Sequence, residues 1–173
     1  LSDAQPKPKW YNLPPKPSQA VAAESNLNLT TDRIIDTLNR FFAENGQMPT
    51  ITDTGELLFA TLRLDATGII GASYYGTMGL AVPAALGYAH ASNKRPVVLI
   101  GDGAFQMTGQ EICHSSKLGV NPICIVSNNA VWGMEQQFHP SPINNLINWP
   151  YAKLAELWGG KSYTCKTQDE LYK

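Results

Sequence analysis

Apolar positions along the chain follow two different periods. At Ile34, Ile35, Leu38, Phe41 and Phe42 they recur at helical spacing, after Thr30 or Thr31 as a cap and before Gly46 as a stop. Val97-Val98-Leu99-Ile100 and Ile123-Cys124-Ile125-Val126 are instead short continuous runs, the mark of strands buried on both faces. Thr50-Ile51-Thr52-Asp53 reads as a short strand ending at Thr54-Gly55, residues 56–62 as a short helix, and Ile69-Ile70 as the start of another strand before a loop over 74–79. Residues 79–92 predict a buried helix with Pro83 in its first turn, where the missing N–H does no harm. Its small residues Ala81, Ala84, Ala85, Gly87 and Ala89 allow close packing. A loop over 101–104 and a helix from about Thr108 to Leu118, stopped by Gly119, lead to the core strand at 123–127. Glu135 opens a short helix that Pro140 and Pro142 stop. Asn148-Trp149-Pro150 starts a further helix with Tyr151, Leu154, Ala155 and Trp158 as its inner face, ended by Gly159-Gly160. Ser162 to Cys165 is a strand candidate, and Thr167 caps a last helix that runs to Lys173.

Strands alternate with helices, which predicts an α/β fold: a three-layer, doubly wound parallel sheet with helices on both faces. The 173 residues suit one domain with a real core. Residues 1–29 differ in character. Pro6, Pro8, Pro14, Pro15 and Pro17 disfavour a helix or central strand there, so this stretch is expected to be an extended linker from an upstream domain, pinned by Trp10 and Tyr11. The domain proper is then 30–173. The first residue is Leu, and the last helix stops almost as it starts, so a fragment or processed product truncated at its C-terminal end is expected.

Charge and cysteine narrow the class. Thirteen basic and fourteen acidic residues leave the chain near neutral, without a charge run for nucleic acid or an anionic membrane surface. The absence of a long apolar span or leader pattern points to a cytoplasmic protein. Cys113, Cys124 and Cys165 are too far apart for a metal knuckle and read as buried reduced thiols. Asn28-Leu29-Thr30 fits a glycosylation acceptor, which carries little weight without a secretory signal.

The chemistry gathers at two loops. Gly101-Asp102-Gly103 closes one apolar run, and Asn128-Asn129 closes the next, separated by the 24 residues 104–127. In open α/β sheets that edge is where ligands bind. The glycines allow close approach of backbone to a phosphate and tolerate positive φ. A carboxylate there would repel a phosphate unless a cation lay between them, so Asp102 makes sense as a ligand of magnesium or calcium. Asn129 offers an amide oxygen and Val131 a backbone carbonyl. Three protein oxygens, two diphosphate oxygens and a water would complete an octahedron. Asp-Gly or Asn-Asn alone is an ordinary turn or loop; together, each closing a buried strand, they are more specific. A dinucleotide fingerprint fails because Gln106 stands at the third glycine position, and no P-loop lysine is present.

Gly101-Asp102-Gly103, that spacing and Asn128-Asn129 resemble the thiamin diphosphate motif of enzymes acting on 2-oxo acids, over roughly residues 45–173. The resemblance implies Mg²⁺ on Asp102, Asn129 and the Val131 carbonyl, with Val131 where Gly is frequent. Ala104 replaces a hydroxyl residue of some members, leaving backbone contacts to phosphate around Gly101, Gly103 and Ala104. It implies that the Gly76 carbonyl accepts a hydrogen bond from the aminopyrimidine and that Met78 wedges between the cofactor's two rings. Thr54-Gly55 resembles another diphosphate-side turn, followed by Glu56 where some relatives carry a hydroxyl. Glu135, six residues past Asn129, resembles the substrate-facing glutamate of the pyruvate and indolepyruvate decarboxylase branch, and its partner His139, four residues on, also resembles that branch. Gly133-Met134 is closer to the acetolactate synthase branch.

The same resemblance implies a glutamate from a separate pyrimidine-binding domain, which this length of chain does not accommodate. The expectation is the diphosphate-binding C-terminal domain of a thiamin diphosphate- and Mg²⁺-dependent 2-oxo acid decarboxylase, inactive alone, and a homodimer or homotetramer in full. A carboligase domain and a non-catalytic cofactor-binding module are the alternatives. Trp132 and Phe138 are read equally as pocket lining or packing, and His114 as structural.

Overall fold

The computed structural model describes residues 27–173; the expected linker with Trp10 and Tyr11 lies almost wholly outside them. Four parallel strands, β1 (Thr50–Thr52), β2 (Ile69–Gly71), β3 (Val97–Gly101) and β4 (Ile123–Ser127), form one sheet in the order β2-β1-β3-β4. The pleat sorts side chains between two cores. Val97, Leu99, Ile123 and Ile125 face one side, where α1 (Thr31–Asn45) and α2 (Glu56–Ala60) pack through Ile34, Ile35, Leu38, Phe42 and Leu57. Ile51, Val98, Ile100, Cys124 and Val126 face the other. There α3 (Ala81–Ser92) and α4 (Asp102–Thr108) contribute Val82, Ala85, Ala104 and Phe105. The expected doubly wound, three-layer arrangement is therefore present.

α1 forms where its pattern places it. The Thr30 hydroxyl accepts the Arg33 N–H, and Gly46, at φ 92°, returns its N–H to the Phe42 carbonyl. Each fully buried aliphatic or phenyl side chain on its inner face contributes about 1.5–3 kcal/mol.

Several expectations need correction. The segment 101–104 is not a loop: α4 begins at Asp102, and the single helix expected over 108–118 is instead α4, a 3-10 stretch (Gly109–His114) and α5 (Ser115–Leu118). His114 ends that 3-10 stretch with its side chain 54% exposed, 3.5 Å from Glu111. Ser162 to Cys165 makes no strand, because no neighbour offers it a ladder. What pairs there is Asn28 with Thr167, an isolated antiparallel bridge. Leu29 N–H donates to the Lys166 carbonyl, and Gln168 N–H to that of Leu27.

The remaining helices are α6 (Gly133–Phe138), α7 (Tyr151–Leu157) and α8 (Gln168–Tyr172). Tyr151 and Leu154 of α7 reach the α3-side core. α8 starts with a full capping box on Thr167 and Glu170 and packs on α1. There Arg40 lies 4.0 Å over the Tyr172 ring. The three cysteines are free thiols, half-buried rather than buried; burial still pushes the Cys124 thiol up to about 12. Among the described residues no helix is long and apolar enough to cross a membrane.

Candidate cofactor site at the carboxyl edge of the sheet

The chain leaves β1 for β2 on one side and returns past β1 to β3 on the other, so the winding reverses between β1 and β3. Ligands in such sheets bind beyond the strand ends at that reversal. Two buried carboxylates stand there: Asp53 after β1 and Asp102 after β3.

Asp102 is the first residue of α4 and 3% exposed. Its Oδ1 accepts the Gly103 N–H at 3.0 Å and its Oδ2 the Ala130 N–H at 2.7 Å. Burial pushes its carboxyl above the ordinary range, against the pull of these backbone bonds. The bond to Ala130 ties the carboxylate to the loop that carries Asn129 and Val131. Asn129 Oδ1 accepts the Val131 N–H at 3.1 Å. This loop is held in turn by 144–146: Leu146 N–H donates to the Ala130 carbonyl and Trp132 N–H to that of Asn144, both at 2.9 Å. Asn144, 6% exposed, donates to Gln136 Oε1 and the His139 carbonyl.

Val131 replaces the frequent glycine without strain, because the left-handed residue is Ala130 at φ 56° and Val131 is not among the positive-φ positions. The flanking glycines also serve differently from expectation. Gly101 has φ −75° and open space beside it, and Gly103 is not left-handed either. Gly103 is required by contact: a Cβ there would lie 2.5 Å from Trp132 Nε1 and 3.2 Å from Leu146 Cδ1. Trp132 thus packs against the start of α4, its indole N–H buried without a partner.

Thr54, Gly55, Gly76 and Met78 assemble beside β1. Gly55 and Gly76 are left-handed at φ 122° and 62°, and a Cβ on Gly76 would stand 3.9 Å from Thr54 Oγ1. Thr54 Oγ1 itself donates to the Ala72 carbonyl. Met78 packs on the α3-side core. Sequence reasoning missed Asp53, which is 0% exposed. Its carboxylate accepts the N–H groups of Thr54 (2.9 Å), Gly79 (3.0 Å) and Ala81 (2.8 Å). The available signal was the pattern it shares with Asp102, an acid directly after a buried strand.

Glu135 stands apart. It is exposed in the first turn of α6, like His139 and the 79%-exposed Phe138. Its backbone carbonyl accepts the His139 N–H, and among the described residues nothing buries its carboxyl.

Among the described residues no three His, Cys, Asp or Glu side chains gather for a metal. A cation held here would therefore depend on one carboxylate with amide and carbonyl oxygens, a donor set for a hard ion that keeps other positions for phosphate and water. The buried Asp102 and the glycine pressed against Trp132 fit such a group.

Comparison with known proteins agrees. The family model described as thiamine pyrophosphate enzyme, C-terminal TPP binding domain, matches residues 53–173. Indole-3-pyruvate decarboxylase of Azospirillum brasilense is 40% identical over 130 residues, 73% of this chain and 24% of that protein. Pyruvate decarboxylase 1 of Oryza sativa subsp. indica is 32% identical over 136 residues, and pyruvate decarboxylase 1 of Pisum sativum 33% over 133; each alignment covers 73% of this chain and 22% of the relative. The chain thus spans about a quarter of the length of these relatives. By the match over 53–173, with its two strand-end motifs brought together around Asp102, the chain belongs to the family of thiamine pyrophosphate enzyme C-terminal TPP binding domains.

Proposed function

We propose that this chain holds the Mg²⁺–diphosphate end of thiamin diphosphate in a non-oxidative 2-oxo acid decarboxylase, giving an aldehyde and CO₂. The observation that carries the reading is the buried Asp102 carboxylate bonded to Ala130, between Asn129 and Val131. Asp102, the Asn129 amide oxygen and the Val131 carbonyl hold Mg²⁺. Backbone groups about Gly101, Gly103 and Ala104, with the Thr54-Gly55 turn, meet the diphosphate, aided by the start of α4. The Gly76 carbonyl would accept a hydrogen bond from the aminopyrimidine, and the Met78 side chain would pack against the cofactor's rings. When bound, the cofactor supplies the carbanion chemistry that lets a 2-oxo acid lose CO₂.

Glu135 handles a proton at the substrate carbon, as the glutamate of the decarboxylase branch. Its side chain is exposed here, so keeping water from that carbon needs cover from outside the described residues. A pyrimidine-side domain, with its own glutamate and from a second copy in a dimer or tetramer, would give that cover and the second wall of the site. The three unpaired thiols suit a reducing compartment such as the cytoplasm.

The test is calorimetry of thiamin diphosphate with and without Mg²⁺, followed by turnover of pyruvate and indolepyruvate in the full polypeptide. Mg²⁺-dependent binding lost in Asp102→Ala, and aldehyde formation lost in Glu135→Gln with binding kept, are the expected results. Unchanged turnover in Glu135→Gln sinks its assignment, and acetolactate as the product from pyruvate would favour a carboligase. Binding without any turnover would favour a cofactor-holding module.

A further inference from the structure

The loop that carries Gly76 and Met78 ends at Gly79, which is gripped from two sides. From β1, the Asp53 carboxylate takes the Gly79 N–H with both oxygens, at 3.0 and 3.2 Å, and the Ala81 N–H at 2.8 Å. From the last residue of α4, the Thr108 hydroxyl donates to the Gly79 carbonyl. The grip leaves no room: Gly79 is buried at φ 90°, and a Cβ on it would lie 2.9 Å from Thr108 Oγ1 and 3.0 Å from Met107 Cβ. Asp53 is wholly buried, so its acceptors are committed to this turn and to the first N–H of α3, that of Ala81. Thr54, its chain neighbour, is tied in by its own N–H.

We infer that Asp53 and Thr108 are positioning residues for the ring end of the cofactor. They fix Gly79 and hence the residue before it, Met78. This inference rests on the functional reading above and deepens it. α4 then links both ends of the site, with Asp102 at its first residue and Thr108 at its last. Since Asp102 serves the diphosphate end and Thr108 the ring end, damage at Thr108 should separate the two.

The experiment uses the full polypeptide and the variants Thr108→Val, which keeps the shape and loses the donor, and Thr108→Ser, which keeps the donor. Two probes are titrated by calorimetry in the presence of Mg²⁺: thiamin diphosphate and inorganic pyrophosphate. Loss of one hydrogen bond that orders the ring end should weaken thiamin diphosphate about ten-fold in Thr108→Val, with pyrophosphate unmoved. Thr108→Ser should bind both as wild type does. Amide exchange without ligand should be faster at Gly79 in Thr108→Val alone. Equal weakening of both probes would show general damage and overturn the inference, as would faster exchange at Gly79 with thiamin diphosphate affinity unchanged. A wild-type protein that binds pyrophosphate but gives thiamin diphosphate no added affinity would overturn the functional reading, and the inference with it.

Discussion

Replacement of Gly103 by alanine is the sharpest probe of the cofactor turn. The added Cβ would sit 2.5 Å from Trp132 Nε1 and 3.2 Å from Leu146 Cδ1. Neither neighbour can yield freely. Trp132 is a rigid ring whose backbone N–H is bonded to Asn144, and Leu146 N–H is bonded to the Ala130 carbonyl. Moving the indole therefore pulls on the 129–132 loop and on the 2.7 Å bond from Ala130 to Asp102. Forcing one methyl into a filled contact of this kind costs about 1–3 kcal/mol. For a chain of this size that is a fall in Tm of roughly 3–9 °C, at about 3 °C per kcal/mol. The assay is a thermal melt, paired with calorimetry of Mg²⁺ and thiamin diphosphate. Gly103→Ala should lose both stability and affinity, and combining it with Trp132→Leu, which clears the space, should recover part of the stability in a double-mutant cycle. A Gly103→Ala protein that melts with wild type and binds as well would refute the packing account of this glycine.

Three further outcomes are expected. Ala130→Gly should raise stability by up to about 1 kcal/mol in urea, since it removes a Cβ from a backbone at φ 56°; a lower midpoint would mean that the left-handed turn carries no strain. Ile35→Ala should cost about 2–5 kcal/mol, because the side chain is 0% exposed under the sheet, and a loss well under that range in denaturant melts would count against the α1 core. Acid should loosen α8 first: the Lys166 and Thr167 N–H groups hold the Glu170 carboxyl below its ordinary value. A carboxylate with a depressed folded-state value contributes fully above its ordinary value of about 4.3 and loses that contribution as pH falls through the folded one. Amide exchange in α8 should therefore rise over that window, and Glu170→Gln should shrink the step to the share of Glu44, which the Tyr172 hydroxyl also holds low.

What the sequence shows of this fold follows from how local each signal is. α1 and the core strands β3 and β4 are plain, because their apolar periods are set by burial within a few residues. The start of α4 is hidden, since Gly-Asp-Gly reads as a turn until Trp132, 29 positions away, explains the small residue. Asp53 is hidden for the same reason: two of its three partner residues lie 26 and 28 positions along the chain. Ser162-Tyr163-Thr164-Cys165 has the composition of a strand, yet a strand exists only when a neighbour pairs with it. The pairing of the segment after β3 with the loop after β4 was legible through the order of their motifs along the chain, and the Asp102–Ala130 bond joins them. The exposure of Glu135 was not, because burial is a property of what packs around a residue.

The clasp between 27–29 and 166–168 has a topological consequence. It sets two segments from far apart in the chain side by side, so all four strands lie within one loop of chain that backbone hydrogen bonds close. A circular permutant, joined across this seam by a short linker and opened at the exposed Gly159-Gly160-Lys161, should fold to the same sheet. The contact of Asp102 with Ala130 lies inside both threadings, so the cofactor turn belongs to the circuit and not to the order in which it is travelled.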